Sequence, residues 1–367
     1  MKIMHVVGAR PNYMKVAPLV AVLSPWKDTV DQVLVHTGQH YDYQMSRVFF
    51  EELDMPKPDE YLAVGSGSHA EQTARVMLAF EPVLVKHRPD WVVVVGDVNS
   101  TLACALVCVK MNVRLVHVEA GLRSGDRSMP EEINRLLTDQ IADLLFTPSP
   151  DADANLLREG VDPAKIHFVG NVMIDTLVKM LPKARLRQVV NNLGLHRRDY
   201  TLVTLHRPSN VDIPGTLAEI MAALNEMALR QTVVFPVHPR TRSRLEQLGL
   251  GAGRVRLIEP LSYLDFLGLM DAAALVLTDS GGIQEETTFL GVPCLTVRST
   301  TERPITLTQG TNRLVASDRQ VILDAVDDVE HSDDAPRQPI ELWDGRAAER
   351  IAQVLLAQTP GRINSTP

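Results

Sequence analysis

A chain of 367 residues is longer than one hydrophobic core usually grows, so its length predicts two domains. Apolar residues at 45% and charged residues at 22% can build such cores and exclude a low-hydrophobicity, disordered chain. A formal net charge of -8 excludes wholesale nucleic-acid binding while leaving room for a local basic cleft around an acidic small molecule. Cys104, Cys108 and Cys294 sit in apolar segments without paired ligand spacing and read as buried thiols in a reducing compartment. No charge-free run approaches membrane-spanning length and no leader pattern opens the chain, so a cytoplasmic protein without membrane insertion is expected.

A first strand over 3–7 ends in G-A-R-P-N-Y-M-K at 8–15, where Pro11 suits a helix start and Pro18 is expected to limit or kink the helix. This strand-to-helix turn lacks G-x-G-x-x-G spacing, so it is no dinucleotide fingerprint, and Arg10 and Lys15 become candidate phosphate or sugar contacts. A second strand over 30–37 leads to Gln39 and His40, whose polar tips suit either a cleft or loop capping. The G-S-G-S-H run at 65–69 has linker composition, yet a helical pattern follows directly from Ala70, which suggests an ordered loop or cap.

Strands over 91–95 and 114–118 end in G-D-V-N-S-T and E-A-G-L-R, and further strands follow over 144–147 and 166–169. Repeated strand, polar turn and helix units predict a parallel sheet with helices on both faces, and ligands in such sheets lie beyond the strands' carboxyl ends. That rule gathers Asp97 and Glu119. In S-G-D-R-S-M-P-E-E-I-N-R at 124–135, Pro130 suits a first helical turn, and Glu131 and Arg135 share a face as an exposed salt bridge or as cleft residues. The arginines scattered over 185–198 read as solvated helix surface near a domain junction.

The pattern then restarts. Strands over 200–205, 232–236, 254–258, 275–277 and 293–297 bring His206, His238, Arg240 and Arg298 to their ends. The turn T-D-S-G-G at 278–282 opens a helix whose first N–H groups, with Gly281 and Gly282 allowing close approach, suit a phosphate or diphosphate. A polar loop over 299–312 lies beside it, and a last helix over 345–357 is placed to cross back onto the first domain. The expected domains are 1–180, 181–345, and a C-terminal helix and tail over 346–367. Two sheets facing a cleft would pool the polar tips of both halves.

One aspartate and two glutamates from the first domain, with His206, Arg240 and Arg303 from the second, suit loss or transfer of a phosphorylated leaving group. No D-x-D follows Asp97, and the histidines lack zincin spacing, so a mechanism with no metal is expected. The G-x-S-x-G nucleophile elbow occurs only broken, with His69 in its last position.

These residues strongly resemble the non-hydrolysing UDP-N-acetylglucosamine 2-epimerases. The resemblance rests on G-A-R-P with Lys15, T-G-Q-H at 37–40, G-D at 96–97, H-V-E-A-G-L-R at 117–123 and P-E-E-x-N-R at 130–135. It continues through T-x-H-R at 204–207, T-D-S-G-G-I-Q-E-E at 278–286 and T-E-R-P at 301–304. It implies two doubly wound, Rossmann-like α/β domains like those of two-domain nucleotide-sugar glycosyltransferases, a homodimer formed through the first domain, and no cofactor. The implied reaction converts UDP-N-acetylglucosamine to UDP-N-acetylmannosamine by eliminating UDP and adding it back through 2-acetamidoglucal, with domain closure excluding water from that intermediate. Asp97, Glu119 and Glu131 then resemble the acid and base carboxylates and His206 the catalytic histidine, while Arg10, Ser280, Gly281 and Gly282 resemble diphosphate contacts. Glu286 resembles the acceptor of the ribose hydroxyls, and Lys15, Arg135, His238 and Arg303 further cleft residues. Where many bacterial members carry a basic residue and a segment linked to an allosteric substrate site, this chain has Y-D-Y-Q-M at 41–45. Relatives acting on UDP-2,3-diacetamido uronic acids, a hydrolysing 2-epimerase and a non-enzymatic nucleotide-sugar sensor are the alternatives.

Overall fold

The computed structural model describes residues 1–38, 52–331 and 339–358, without the side chains of Arg10 and Glu330. Two units form: Met1–Thr176 rejoined by Glu341–Pro367, and Leu177–Ile340.

The first unit contains β1 (Lys2–Val7), α1 (Arg10–Leu23), β2 (Asp31–His36), β3 (Glu60–Tyr61), α2 (His69–His87), β4 (Trp91–Val95) and α3 (Asn99–Lys110). It continues with β5 (Arg114–Val118), α4 (Pro130–Ile141), β6 (Leu144–Thr147), α5 (Pro150–Arg158) and β7 (Ile166–Phe168). All seven strands are parallel in the order β3-β2-β1-β4-β5-β6-β7. A parallel sheet covered on both faces demands continuous apolar strands, and W-V-V-V-V in β4 is buried at every position. Phe80 of α2 and Cys104 and Cys108 of α3 pack with Val6, Val35, Val92 and Val94 in that core, and burial raises both thiols above their usual range.

Helix α6 (Val172–Leu186) leads into the second unit. There α7 (Val189–Asn192), β8 (Tyr200–Thr204), α8 (Pro208–Val211), α9 (Pro214–Met227), β9 (Thr232–Pro236), α10 (Pro239–Gln247) and β10 (Arg256–Ile258) are followed by α11 (Tyr263–Ala272) and β11 (Leu275–Thr278). Next come α12 (Gly281–Leu290), β12 (Cys294–Val297), α13 (Ile305–Thr308), β13 (Asn312–Val315) and α14 (Arg319–His331). Six parallel strands run β10-β9-β8-β11-β12-β13 around a core of Val203, Phe235, Leu277 and Leu295 under Leu217, Leu224 and Ile322. Each sheet reverses its winding once, between β1 and β4 and between β8 and β11, and such a switch point opens a crevice at the strands' carboxyl ends.

The chain then returns to the first unit as α15 (Ala347–Ala357), which packs on α1. Asp175, in the first turn of α6, accepts from the Ala347 and Ala348 N–H groups at 3.0 and 2.7 Å, capping a helix distant in sequence. Its burial pushes that carboxyl up to about 6 despite both bonds. The Trp343 indole donates to the Pro148 carbonyl at 2.9 Å, and Gly170, at φ +87°, passes directly beneath the Leu342 carbonyl.

Several local readings change. α1 continues through Pro18 to Leu23, tolerating one lost backbone bond inside a buried, packed helix. The 65–69 run is ordered: Gly65 donates to the Gly38 carbonyl at 2.9 Å, and the Ser68 hydroxyl caps α2 by accepting from Glu71 N–H. Strands β3 and β13 were not foreseen, and α13 interrupts the expected 299–312 loop.

An alanine Cβ at Gly170 would lie 2.1 Å from the Leu342 carbonyl oxygen, whereas at Gly160, φ +82°, it would meet nothing within 4 Å. Gly170→Ala is expected to cost about 3 kcal/mol or more and Gly160→Ala about 1 kcal/mol, because both bear the dihedral cost and only the first adds overpacking. Urea unfolding midpoints of the two variants measure the difference.

Candidate functional site

In the first unit β4 and β5 run side by side, with Val95 in register with Val118. Gly96 turns the chain at φ +64° and delivers Asp97; Glu119 follows β5 at φ +69°, left-handed backbone that a glutamate adopts only at a cost of about 1–3 kcal/mol. Glu119 N–H and Ala120 N–H both donate to the Phe146 carbonyl at 3.0 Å, and these bonds hold the strained turn. From α1, Lys15 ion-pairs with Glu119, and both side chains are buried. An added Cβ at Gly96 would come within 2.8 Å of the Lys15 ammonium, so glycine makes room for this pair. Asn12 fixes the approach of α1: its carbonyl accepts from Gly8 and Ala9 N–H at 3.0 and 2.9 Å, and its amide donates to the Val95 carbonyl at 3.0 Å.

Arg135, 2% exposed, projects from α4 and ion-pairs with Asp97, whose side chain is 28% exposed, and with buried Glu132. Glu132 also accepts from Ser124 and Gly125 N–H at 3.0 and 2.9 Å. Burial pushes its carboxyl up, yet these donors and the guanidinium hold it below the usual range. Arg135 therefore does not pair with Glu131; Glu132, one residue on, faces it instead. Among the described residues Glu131 has no hydrogen-bond or ion-pair partner and is half-buried at the start of α4.

Behind this turn His117 is fully buried between two acceptors, Asp139 at 2.6 Å from Nδ1 and the Gly96 carbonyl at 2.8 Å from Nε2. Burial opposes ionisation of Asp139, but His117 and Arg123, the latter 2.7 Å away, hold its carboxyl below the usual range.

In the second unit β8 and β11 pair with Thr204 opposite Thr278. His206 and Asp279 leave these neighbouring strands, and His206 Nδ1 lies 2.9 Å from Asp279 Oδ1. Next to Asp279, Ser280, Gly281 and Gly282 open α12, and no side chain caps that N-terminus. Arg303 packs on the turn; an added Cβ at Gly281 would come 2.5 Å from its Nη1. Arg303 is ion-paired with Glu302 and, at 3.0 Å, with Glu285. One turn into α12, Glu286 accepts from the Tyr263 hydroxyl at 2.8 Å; burial pushes its carboxyl up to about 7, the Tyr263 bond lowering it and Glu285 raising it again. His238 is exposed and caps α10, accepting from Arg240 N–H at 3.3 Å. Arg240 is exposed and ion-pairs with Asp212.

The structure thus joins Lys15 to Glu119, Asp97 to Arg135, and Arg303 to the Gly281 turn. The Arg10 side chain, Gln39, His40 and the 41–45 segment lie outside the described residues. Sequence reasoning quoted the motifs containing Asp279, Glu132 and His117 but gave these residues no part. Asp279 carried a usable signal, since it directly follows a buried strand; Glu132 and Tyr263 declare themselves only through their three-dimensional partners.

Parallel, doubly wound α/β units with polar and ionised side chains at the switch-point strand ends, and a glycine-led helix start without a side-chain cap, define a Rossmann-like protein of the class that takes ligands beyond its strands' carboxyl ends. The chain belongs to the UDP-N-acetylglucosamine 2-epimerase family, whose profile matches residues 26–356. It is 42% identical to the UDP-N-acetylglucosamine 2-epimerase of Methanocaldococcus jannaschii over 97% of this chain and 99% of that protein. The UDP-2,3-diacetamido-2,3-dideoxy-D-glucuronate 2-epimerase of Pseudomonas aeruginosa is 44% identical over 89% of this chain and 91% of that protein. The crystal structure of the Methanocaldococcus jannaschii enzyme in complex with UDP-GlcNAc and UDP superposes with a TM-score of 0.89 at 42% identity, over 97% of this chain and all of that one.

Because Glu286 is raised from an ordinary 4.5 to about 7, its contribution to stability is fully present below about 4.5 and is lost as pH rises through about 7. Glu286→Gln is expected to flatten the stability profile across that window and to stabilise the ligand-free protein at pH 8 by on the order of 2 kcal/mol. Thermal or urea unfolding at pH 5 and pH 8 checks both signs.

Proposed function

We propose that the protein interconverts UDP-N-acetylglucosamine and UDP-N-acetylmannosamine. The observation that carries this reading is the nearly full-length likeness to 2-epimerases in a chain that places Asp97, Glu119 and His206 just past the ends of β4, β5 and β8.

The C2 proton has no neighbouring carbonyl to acidify it, so simple removal and return is chemically unfavourable. Elimination avoids the problem. A carboxylate takes the C2 proton, the C–H electrons form the C1–C2 double bond, and the C1–O pair leaves with UDP. In the return step a proton reaches the opposite face of C2 and a diphosphate oxygen attacks C1. Asp97, Glu119 and Glu131 share the base and acid roles, and Lys15 and Arg135 set the charge around the first two. In the second unit the open α12 start and Arg303 serve the diphosphate, with His206 close to the leaving oxygen, and Arg10 of the first unit is a further diphosphate contact. Glu286 receives the ribose hydroxyls, and His238 contributes to the nucleotide pocket.

The protein acts in the cytoplasm as a homodimer. Leu78 and Val85 of α2 and Leu137 of α4 are 74%, 55% and 46% exposed on the first unit, an apolar display that suits a second copy. Among the described residues no helix is long and apolar enough to cross a membrane.

Proton NMR in deuterated water with UDP-N-acetylglucosamine is expected to yield UDP-N-acetylmannosamine carrying deuterium at C2. Free N-acetylmannosamine plus UDP would instead identify a hydrolase, and turnover confined to a UDP-2,3-diacetamido uronic acid would replace the substrate. Asp97→Asn, Glu119→Gln and Glu131→Gln are each expected to lower kcat by about 10²–10⁴-fold. Light scattering is expected to give twice the chain mass.

A further inference from the structure

Asp279 is fully buried and surrounded by donors. His206 N–H reaches both of its oxygens at 3.1 Å, Arg207 N–H donates at 2.9 Å, and the Asn210 amide donates at 3.1 Å. The fourth neighbour is the His206 ring, through Nδ1 at 2.9 Å. A carboxylate whose other neighbours all donate is an acceptor towards the ring as well, so the proton in that contact belongs to Nδ1. Burial opposes the charge, but the ring, Arg207 N–H and Asn210 together hold the Asp279 carboxyl below the usual range. The His206 side chain is nonetheless 59% exposed, so the partner fastens one edge of the ring while leaving much of it open.

We propose that Asp279 is a positioning residue that selects the Nδ1–H form of His206 and leaves Nε2 to meet the departing diphosphate. The inference rests on the epimerase reading for the identity of that ligand. When the C1–O bond breaks, its electron pair passes to the diphosphate oxygen. With Nδ1–H held by Asp279, Nε2 is the ring's free basic nitrogen; it takes up a proton from water as the diphosphate binds, the imidazolium so formed donates Nε2–H to the departing oxygen, and Asp279 balances its positive charge from the Nδ1 side. The arrangement follows from topology: β8 and β11 are adjacent, and each sends one member of the pair out of its carboxyl end. Asn210 serves as an internal comparison, since it also binds Asp279, and the Val297 carbonyl at 3.0 Å, without touching the ring.

The test is nitrogen-resolved NMR of ¹⁵N-histidine-labelled protein without ligand, at a pH where the rings are neutral, joined to steady-state kinetics. Native His206 is expected as Nδ1–H, and Asp279→Asn is expected to shift the population toward Nε2–H. The same variant should lower kcat about 10²-fold or more while KM for the UDP-sugar moves less than about threefold. Asn210→Ala should keep the native tautomer and lose less than about tenfold in kcat. A native His206 in the Nε2–H form would overturn the proposal even if no Asp279 variant folds. So would an Asp279→Asn protein with native tautomer and native kcat, or an Asn210→Ala protein as impaired as Asp279→Asn. Absence of epimerisation by the native protein in the deuterium assay would overturn the functional reading and leave the tautomer selection standing.

Discussion

A charge taken out of water must meet a partner or lose its ionisation, and removing one member of a buried pair typically costs about 3–5 kcal/mol. In both units strand ends, and in the first also helix α4, send carboxylates into cover, so both regions are built around this demand. Glu119 meets Lys15, Asp139 meets His117 and Arg123, and Glu132 meets Arg135 with two backbone amides. In the second unit Asp279 draws in two backbone amides, Asn210 and His206. These polar groups are therefore oriented before a ligand arrives, which spares the cost of ordering them on binding. Glu119 makes the point sharply, because its unfavourable backbone is tolerated only within a turn locked by bonds to Phe146.

The helix starts differ in how their first N–H groups are met. Ser68 caps α2, Ser262 caps α11 and Asp175 caps α15, but α12 begins at Gly281 with no side-chain cap. Its first amides have no side-chain acceptor, Arg303 beside them is shared between Glu302 and Glu285, and Glu286, deeper in the same helix, is buried at the expense of its ionisation.

The regular parts of this architecture were legible because each parallel strand is a short, wholly apolar run closed by a polar turn, as in 91–95 and 275–277. β3, with two residues, and β13, with Asn312 and Arg313 in it, carry no such signal and exist because a neighbouring edge offers them bonds. Strand-end logic also put Asp97, Glu119, His206 and the Gly281 turn just past their strands, where the structure has them. It could not choose Glu132 over Glu131 as Arg135's partner, since adjacent helical residues differ by about 100° in direction and only packing reveals which one turns inward. Asp279 escaped attention because the glycines beside it supplied a sufficient account of the same motif.

The first unit is discontinuous: α1 is covered by α15, while the whole second unit lies between them in sequence. During synthesis the second unit has all its strands available before α15 leaves the ribosome, so it can complete its fold while the first still lacks a helix. Asp175, Gly170 and the Pro148 carbonyl wait for partners encoded more than 160 residues later. Until those partners arrive, the face of α1 that α15 covers remains open to water and to chaperones, and the first unit's packing is complete only once α15 has docked.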